Sequence, residues 1–238
     1  MPDCKVEWWP ERALLALQGP EAVEVLAAIE PKVRDLTFMH GGAFTLLGAE
    51  CWVSRSGYTG EDGYEISVPN DRAAVLADLL CKDPRVKPVG LGARDSLRLE
   101  AGLCLYGNDI DTTTTPIEAS LIWAIQKVRR PGGERAGGYP GADIVGQQIE
   151  HGAPRKRVGL AIEGRAPVRA HTELYLGSEK IGEVTSGGFG ATLNAPVAMG
   201  YVKSEHAAVG TKLSAKVRDK DVAVEIVAMP FVKKDYKK

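Results

Sequence analysis

The sequence predicts an α+β chain that ends in a small antiparallel β-barrel, and three observations carry that prediction. Apolar alternation of period two recurs in short runs in both halves; helical periodicity is confined to a few segments, with no β-α-β repeat of fixed length; and the last third is a series of short strands separated by glycine-containing turns.

In chain order, residues 13–17 form an apolar run suited to a buried strand, which Gln18-Gly19-Pro20 turns. Pro20 at the first helical position, with Glu21 and Glu24 in the first turn, opens a helix through about Ile29 that carries Val23, Leu26 and Ala27 on one face. Residues 44–47 and 51–53 read as strands around Gly48. In the next stretch Gly57, Gly60 and Gly63 can take the positive φ angles of tight turns, and Glu61-Asp62 suits a solvated tip. From there Tyr64, Ile66 and Val68 alternate with Glu65 and Ser67, so Tyr64 and Glu65 point to opposite faces of a half-buried strand. Pro69-Asn70-Asp71 stops it, with Asn70 or Asp71 as N-cap of an amphipathic helix over 73–81.

Arg94, Leu97, Arg98 and Ala101 recur at helical spacing, and Gly102 sits where a left-handed C-terminal cap belongs. After the polar loop 106–115, Pro116 opens a helix through Trp123 and Ile125. Residues 131–141, rich in Gly and Pro, read as a linker or surface excursion, and a short helix over 142–150 bridges it. Strands then follow over 157–162, 173–176, 180–185, 198–202, 212–217 and 222–227, with turns such as Gly177-Ser178 and Gly187-Gly188 between them; six such strands predict the barrel. Residues 233–238 read as a frayed basic tail. The division expected is a first domain over 1–135, a linker over 136–153 and a barrel domain over 154–238.

The 238 residues, 44% hydrophobic and 26% charged, make an ordinary globular composition with a sizeable core. With 30 basic and 31 acidic residues the net charge is −1, which gives no bulk footprint for nucleic acid or an anionic membrane. Cys4, Cys51, Cys81 and Cys104 lie among apolar neighbours without a C-x-x-C pair, as buried thiols of a reducing compartment do. No metal is expected, because His40, His151, His171 and His206 are equally scattered; carboxylate-only sites stay open. No apolar run is long enough to span a bilayer, and the first residues lack the regions of a signal peptide.

The residues that could carry chemistry each have a plain structural reading. Glu65 is either a carboxylate on the wet face of a strand or a fixed acceptor for a ligand with two adjacent N–H donors, as on the amino-pyrimidinone edge of a pterin; spacing does not choose. Arg94 and Arg98 would pair with Asp95 or Glu100 or lie on a solvated face. Asp109 and Asp111 are a carboxylate pair or, more simply, loop caps. Trp123 is core or ligand wall, and Arg157 belongs to a basic cluster, 155–157, at a strand entry.

Several motifs in one order bear on this choice. They are Ala13-Leu14-Leu15-Ala16-Leu17-Gln18-Gly19-Pro20, Gly57-Tyr58-Thr59-Gly60-Glu61-Asp62-Gly63-Tyr64-Glu65-Ile66, Gly90-Leu91-Gly92-Ala93-Arg94-Asp95-Ser96-Leu97-Arg98-Leu99-Glu100-Ala101-Gly102-Leu103, Leu105-Tyr106-Gly107-Asn108-Asp109-Ile110-Asp111, Thr115-Pro116-Ile117-Glu118 and Met229-Pro230-Phe231-Val232. Together they resemble the aminomethyltransferase family of the glycine cleavage system, the T-proteins. The resemblance implies the C-terminal part of a folate-binding T-protein fold followed by the family's small antiparallel barrel. It implies transfer of the methylene of an aminomethyl group from the reduced lipoyl arm of H-protein to tetrahydrofolate, with release of ammonia. Lipoylated H-protein and tetrahydrofolate, as substrate, are the implied partners.

By the same resemblance Glu65 holds the pterin, Tyr58 packs against or hydrogen-bonds it, and Arg94, Arg157, Trp123 and Tyr236 serve the substrate and folate site, while Arg98 stays structural. The family's key aspartate belongs to an N-terminal part that precedes the matched residues, so no catalytic acid is expected in this chain. Apolar surface around Leu15, Leu17 and Trp52 would then be left uncovered. Eukaryotic members imply a mitochondrial setting and bacterial ones a cytoplasmic setting. Two alternatives remain: a folate-binding relative, such as a demethylating dehydrogenase's folate domain or the iron–sulfur maturation factor whose Lys-Gly-Cys-Tyr motif is missing here, or a non-catalytic remnant in which Glu65 and Arg94 pair with each other.

Overall fold

The computed structural model describes residues 4–218 and 220–237. They divide into two units, the first running to Arg94 and taking back the tail from Lys234, the second running from Asp95 to Lys233.

The first unit contains β1 (Arg12–Gln18), α1 (Ala22–Ala27), a 3₁₀ turn (Pro31–Asp35), β2 (Gly41–Leu46), β3 (Ala49–Ser54), β4 (Gly63–Pro69) and α2 (Asn70–Cys81). The strands form one antiparallel sheet in the order β1-β4-β3-β2. Pairing of Leu17 with Tyr64 and of Leu15 with Ile66 puts their side chains on one face, where Leu46, Val53, Tyr64, Ile66 and Val68 are buried with Leu26, Val33, Leu76 and Leu80. The alternation read from Tyr64 to Val68 is therefore the alternation of the core.

The opposite face differs from expectation. Leu15 and Leu17 belong to the core, and the exposed apolar residues are their neighbours on the other side of the pleat: Leu14 is 66% exposed and Trp52 51%. Both pair with Ser67 across the sheet, and Ala16 and Ser54 flank Glu65. Because the side-chain period is two, a shift of one residue exchanges the faces.

Local corrections have local causes. Pro20 does not start α1: Ala22 N–H bonds the Gly19 carbonyl at 3.0 Å, so Pro20 takes the second position of a β-turn, where its fixed φ is favoured. Asn70 and Asp71 do not cap α2 from outside, since both lie within it and Asn70 spends its side-chain amide on the Pro10 carbonyl, 3.0 Å away. Of the four cysteines only Cys51 is buried, and burial pushes its thiol up.

The division falls within α3 (Leu91–Glu100). This helix ends as read, with Gly102 at φ +65° and the paired bonds of a Schellman cap, Gly102 N–H to Leu99 and Leu103 N–H to Arg98. The segment after Pro116 is not a helix but a turn followed by a 3₁₀ turn, Ile122–Ala124. Ser120 takes φ +59°, which no α-helix accommodates, and its hydroxyl bonds the Arg157 carbonyl at 3.1 Å. The 131–141 excursion is bonded back to the residues before it, Arg135 N–H reaching Val128 and Gly137 N–H reaching Arg129, and α4 (Ala142–His151) follows.

The barrel is built of β5 (Arg155–Ile162), β6 (Glu173–Leu176), β7 (Glu179–Gly190), β8 (Ala195–Lys203), β9 (Lys212–Val217) and β10 (Lys220–Val227), closed in the order β10-β5-β8-β7-β6-β9. Leu160, Leu174, Val184, Ala198, Ala215 and Ile226 fill it. Gly187-Gly188 is not a turn; it lies inside β7, where a Cβ on Gly187 would stand 1.7 Å from the Val168 carbonyl. Nor is the end of the chain frayed, for residues 234–237 return to the first unit.

Arg98 and Asp109 form a buried ion pair at 2.8 Å. The Asp109 carboxylate also accepts from Ser186, Thr185 and the Leu105 N–H, whereas exposed Asp111 caps its own loop through Thr113 and Thr114, so the two acids do not converge. Asp109→Asn leaves the buried guanidinium with only the exposed Asp95 carboxylate as counter-charge and should cost up to about 3–5 kcal/mol. Urea unfolding measures this, and a loss below about 1 kcal/mol would show that the pair is not what holds this region.

Candidate functional site

The site begins with the loop between β3 and β4. Arg55, buried at its start, grips Asp62 at its end: Nε donates to Oδ1 at 2.9 Å, and a second guanidinium nitrogen reaches Oδ2. A third donates to the Leu36 carbonyl at 3.0 Å, and the guanidinium lies 5.3 Å from the centre of the Tyr64 ring. The loop is thus closed at its base by a charge pair mostly removed from water.

Gln18, at the end of β1, fills the loop. Its amide donates to the carbonyls of Ser56 at 3.0 Å and Tyr64 at 3.1 Å, and its Oε1 accepts from Thr59 at 3.3 Å. The three loop glycines therefore serve different needs. Only Gly60 has a left-handed backbone, at φ +83°; a Cβ on Gly57 would stand 1.8 Å from Gln18 Oε1, and one on Gly63 would stand 2.6 Å from the Leu17 carbonyl.

Glu65 projects from β4 on the face away from the core, half-buried, and its Oε2 accepts from Ser56 Oγ at 2.6 Å. Ser56 is itself bonded to Ser54 at 2.8 Å. Among the described residues no lysine or arginine is paired with Glu65. Arg94, exposed in the first turn of α3, stacks its guanidinium over the Tyr58 ring at 4.8 Å. Tyr236 stacks on Phe38 with centroids 3.9 Å apart and planes 6° apart, and burial, with a smaller push from Glu61, raises its phenol above the usual range.

Glu65, Tyr58, Arg94 and Tyr236 thus belong to the first unit, and Trp123 and Arg157 to the second. Trp123 is 73% exposed, so it is not core. Arg157 is no solvated strand entry: 5% exposed, it donates to the carbonyls of Ala119 at 2.9 Å and Gly102 at 3.1 Å and touches the sulfurs of Met199 and Met229. Its neighbour Arg155 is the one at the surface, against Glu118 and the Tyr201 ring.

Sequence reasoning missed Gln18, Ser56 and Phe38. A glutamine ending an apolar strand just before Gly-Pro was a usable signal for Gln18; Phe38 lies in a stretch without periodicity and gave none. In chemical terms the loop and β4 present a carboxylate fixed by a hydroxyl and an aromatic ring capped by a cation. Such groups orient a ligand rather than move a proton. Among the described residues no group of three His, Cys, Asp or Glu side chains could hold a metal ion, and no helix is long and apolar enough to cross a membrane.

Comparison with known proteins places the chain in a family. Residues 1–129 match the model of the GCVT N-terminal domain, and residues 155–233 match that of the glycine cleavage T-protein C-terminal barrel domain. The mitochondrial aminomethyltransferase of Homo sapiens is 50% identical over 95% of this chain and 56% of its own length, and that of Mesembryanthemum crystallinum 48% identical over 96% and 56%. The crystal structure of the glycine cleavage system aminomethyltransferase T from Bartonella henselae superposes with a TM-score of 0.88 at 47% identity, covering 96% of this chain and 62% of that one. The chain spans a little over half the length of the curated relatives it matches. A family model that covers more than half of its residues, together with the barrel match, makes this chain a member of the glycine cleavage T-protein family.

Proposed function

We propose that this chain carries the folate-holding part of an aminomethyltransferase, which passes the methylene of the aminomethyl-lipoyl arm of H-protein to tetrahydrofolate and releases ammonia. The observation that supports it best is the state of Glu65. Its carboxylate sits on the uncovered face of the sheet, oriented by Ser56, with no basic side chain paired to it among the described residues. Arg94, the partner a non-catalytic remnant would have given it, is held over Tyr58 instead.

In this reading Glu65 takes two parallel N–H bonds from the pterin edge, and Tyr58, Arg94 and Tyr236 bound the ligand with aromatic surface and positive charge. On the second unit, Trp123 and Arg157 are proposed for ligand contact on the family resemblance alone. The chemical demand on these residues is to bring the folate N5 against the aminomethyl carbon and keep water out. No residue of this chain is assigned as the acid that assists the leaving ammonia. The mitochondrial names of the plant and human relatives favour that compartment, and the bacterial structural neighbour supplies the cytoplasmic alternative.

Titration calorimetry with tetrahydrofolate, on a protein extended at its N-terminus to the relatives' length, is the direct test, and absence of binding would overturn the reading. In that protein Glu65→Gln replaces a charged double acceptor by a mixed donor and acceptor. A charge-assisted bond is worth roughly 1.5–3 kcal/mol, so folate affinity should fall about tenfold or more with little change in melting temperature. Unchanged affinity would remove Glu65 from the site.

Arg94→Lys should lower turnover, because an ammonium does not reproduce a planar guanidinium stacked on a ring. Wild-type turnover in a normally folded variant would return Arg94 to the solvated face of its helix.

The 238-residue chain alone should fold and yet turn over at least about a hundredfold more slowly than the extended protein, since misplacement of about 1 Å already costs that much. Ammonia release from aminomethylated H-protein, assayed for both side by side, checks this; equal rates would show that the chain holds every group the reaction needs.

A further inference from the structure

We propose that Phe38 is a positioning residue of the folate site, acting through Tyr236 and the C-terminal tail to hold the loop that presents Tyr58 and Ser56. This rests on the reading of that loop as the pterin site. Phe38 lies in the link between the 3₁₀ turn Pro31–Asp35 and β2, a segment with no sequence motif.

A closed ring of contacts joins it to the loop. The Phe38 ring stacks on Tyr236, and its N–H donates to the Lys237 carbonyl at 2.8 Å, so ring and backbone grip the tail together. Two residues earlier, Asp235 N–H donates to the carbonyl of Gly60, at the left-handed corner of the loop. The link itself is fastened by Arg55, whose guanidinium bonds the Leu36 carbonyl, whose carbonyl accepts from Met39 N–H at 2.9 Å and whose N–H donates to the His40 carbonyl at 2.9 Å. Arg55 closes the ring through Asp62. The loop is thus held at its base by the ion pair and at Gly60 by the tail, and the tail is held by Phe38.

This geometry separates Phe38 from a residue that merely packs. It is only half-buried, so its loss should leave the core of the first unit standing and loosen the tail and loop alone. An aromatic pair is worth enough beyond its area to change a coupled affinity by about twofold to tenfold.

The experiment uses the upstream-extended protein with Phe38→Leu, which keeps apolar volume without a flat ring, and Phe38→Tyr, which keeps the ring. Hydrogen exchange of the amides in 56–62 and 234–237 is followed with tetrahydrofolate affinity. Phe38→Leu should exchange several-fold faster in both segments and bind folate about twofold to tenfold more weakly, with a nearly unchanged melting temperature; Phe38→Tyr should restore both. Wild-type exchange in the leucine variant overturns the proposal whatever folate does. Faster exchange with undiminished affinity overturns the link from Phe38 to the ligand. Failure of the wild-type protein to bind tetrahydrofolate overturns the functional reading instead, while the exchange data still decide whether Phe38 holds the loop.

Discussion

The first unit depends on one buried charge. Arg55 lies on the core side of the sheet's edge against Tyr64, where an unpaired guanidinium would be strongly destabilising, and Asp62 is what makes that position tenable. Having been brought there, the guanidinium orders three separate stretches: the loop end at Asp62, the link at Leu36 and, through its backbone, Met39 and His40. The pairing therefore sets the shape of everything that surrounds the candidate site. Tyr64 completes the arrangement, its hydroxyl bonding the Val33 carbonyl at 3.1 Å and its burial pushing the phenol up.

Glu65 follows Tyr64 by one residue and has the opposite fate. The two-residue period of β4 sends Tyr64 into the core with Arg55 and Glu65 to the other face, so a fully buried side chain and a half-buried carboxylate are neighbours in sequence. That separation explains how a tightly packed loop leaves a carboxylate accessible. Structural cohesion comes from one face of the strand, and Glu65 takes no part in it beyond the bond from Ser56.

The parts that were legible in the sequence are those set by neighbours along the chain. Alternation located β4 and the barrel strands, and helical spacing with a terminal glycine located α3 and its cap. The parts that were not legible are set by residues distant in sequence. Pro116 carries a helix-start signal, but Ser120 is turned by its bond to Arg157, 37 residues on. Gly187-Gly188 looks like a turn and lies in a strand; residue 187 is glycine because the Val168 carbonyl passes too close for a Cβ. The tail looks frayed by composition and is docked, because Phe38, nearly two hundred residues earlier, stacks on it. Glu65 and Arg94 were singled out in the sequence through the family motif rather than through spacing, and Gln18, which holds the loop from inside, carries no charge to draw notice.

Arg94 and Arg98 show the same limit within one helix. Four residues apart, they share a stripe, and periodicity treats them alike. Arg98 is buried with Asp109, Asp95, Ser186 and the Leu103 carbonyl around it, so every direction of its guanidinium is already used to stabilise the second unit. Arg94, one turn earlier, is exposed and stacks its guanidinium on the face of Tyr58, a contact that uses the cation's face and not its in-plane N–H donors. A guanidinium stacked by its face and open at its edge is oriented without being neutralised, which is the condition a ligand-binding arginine has to meet. What separates the two is therefore not residue type or spacing but whether a carboxylate from elsewhere in the chain reaches them, and Asp109 reaches only one.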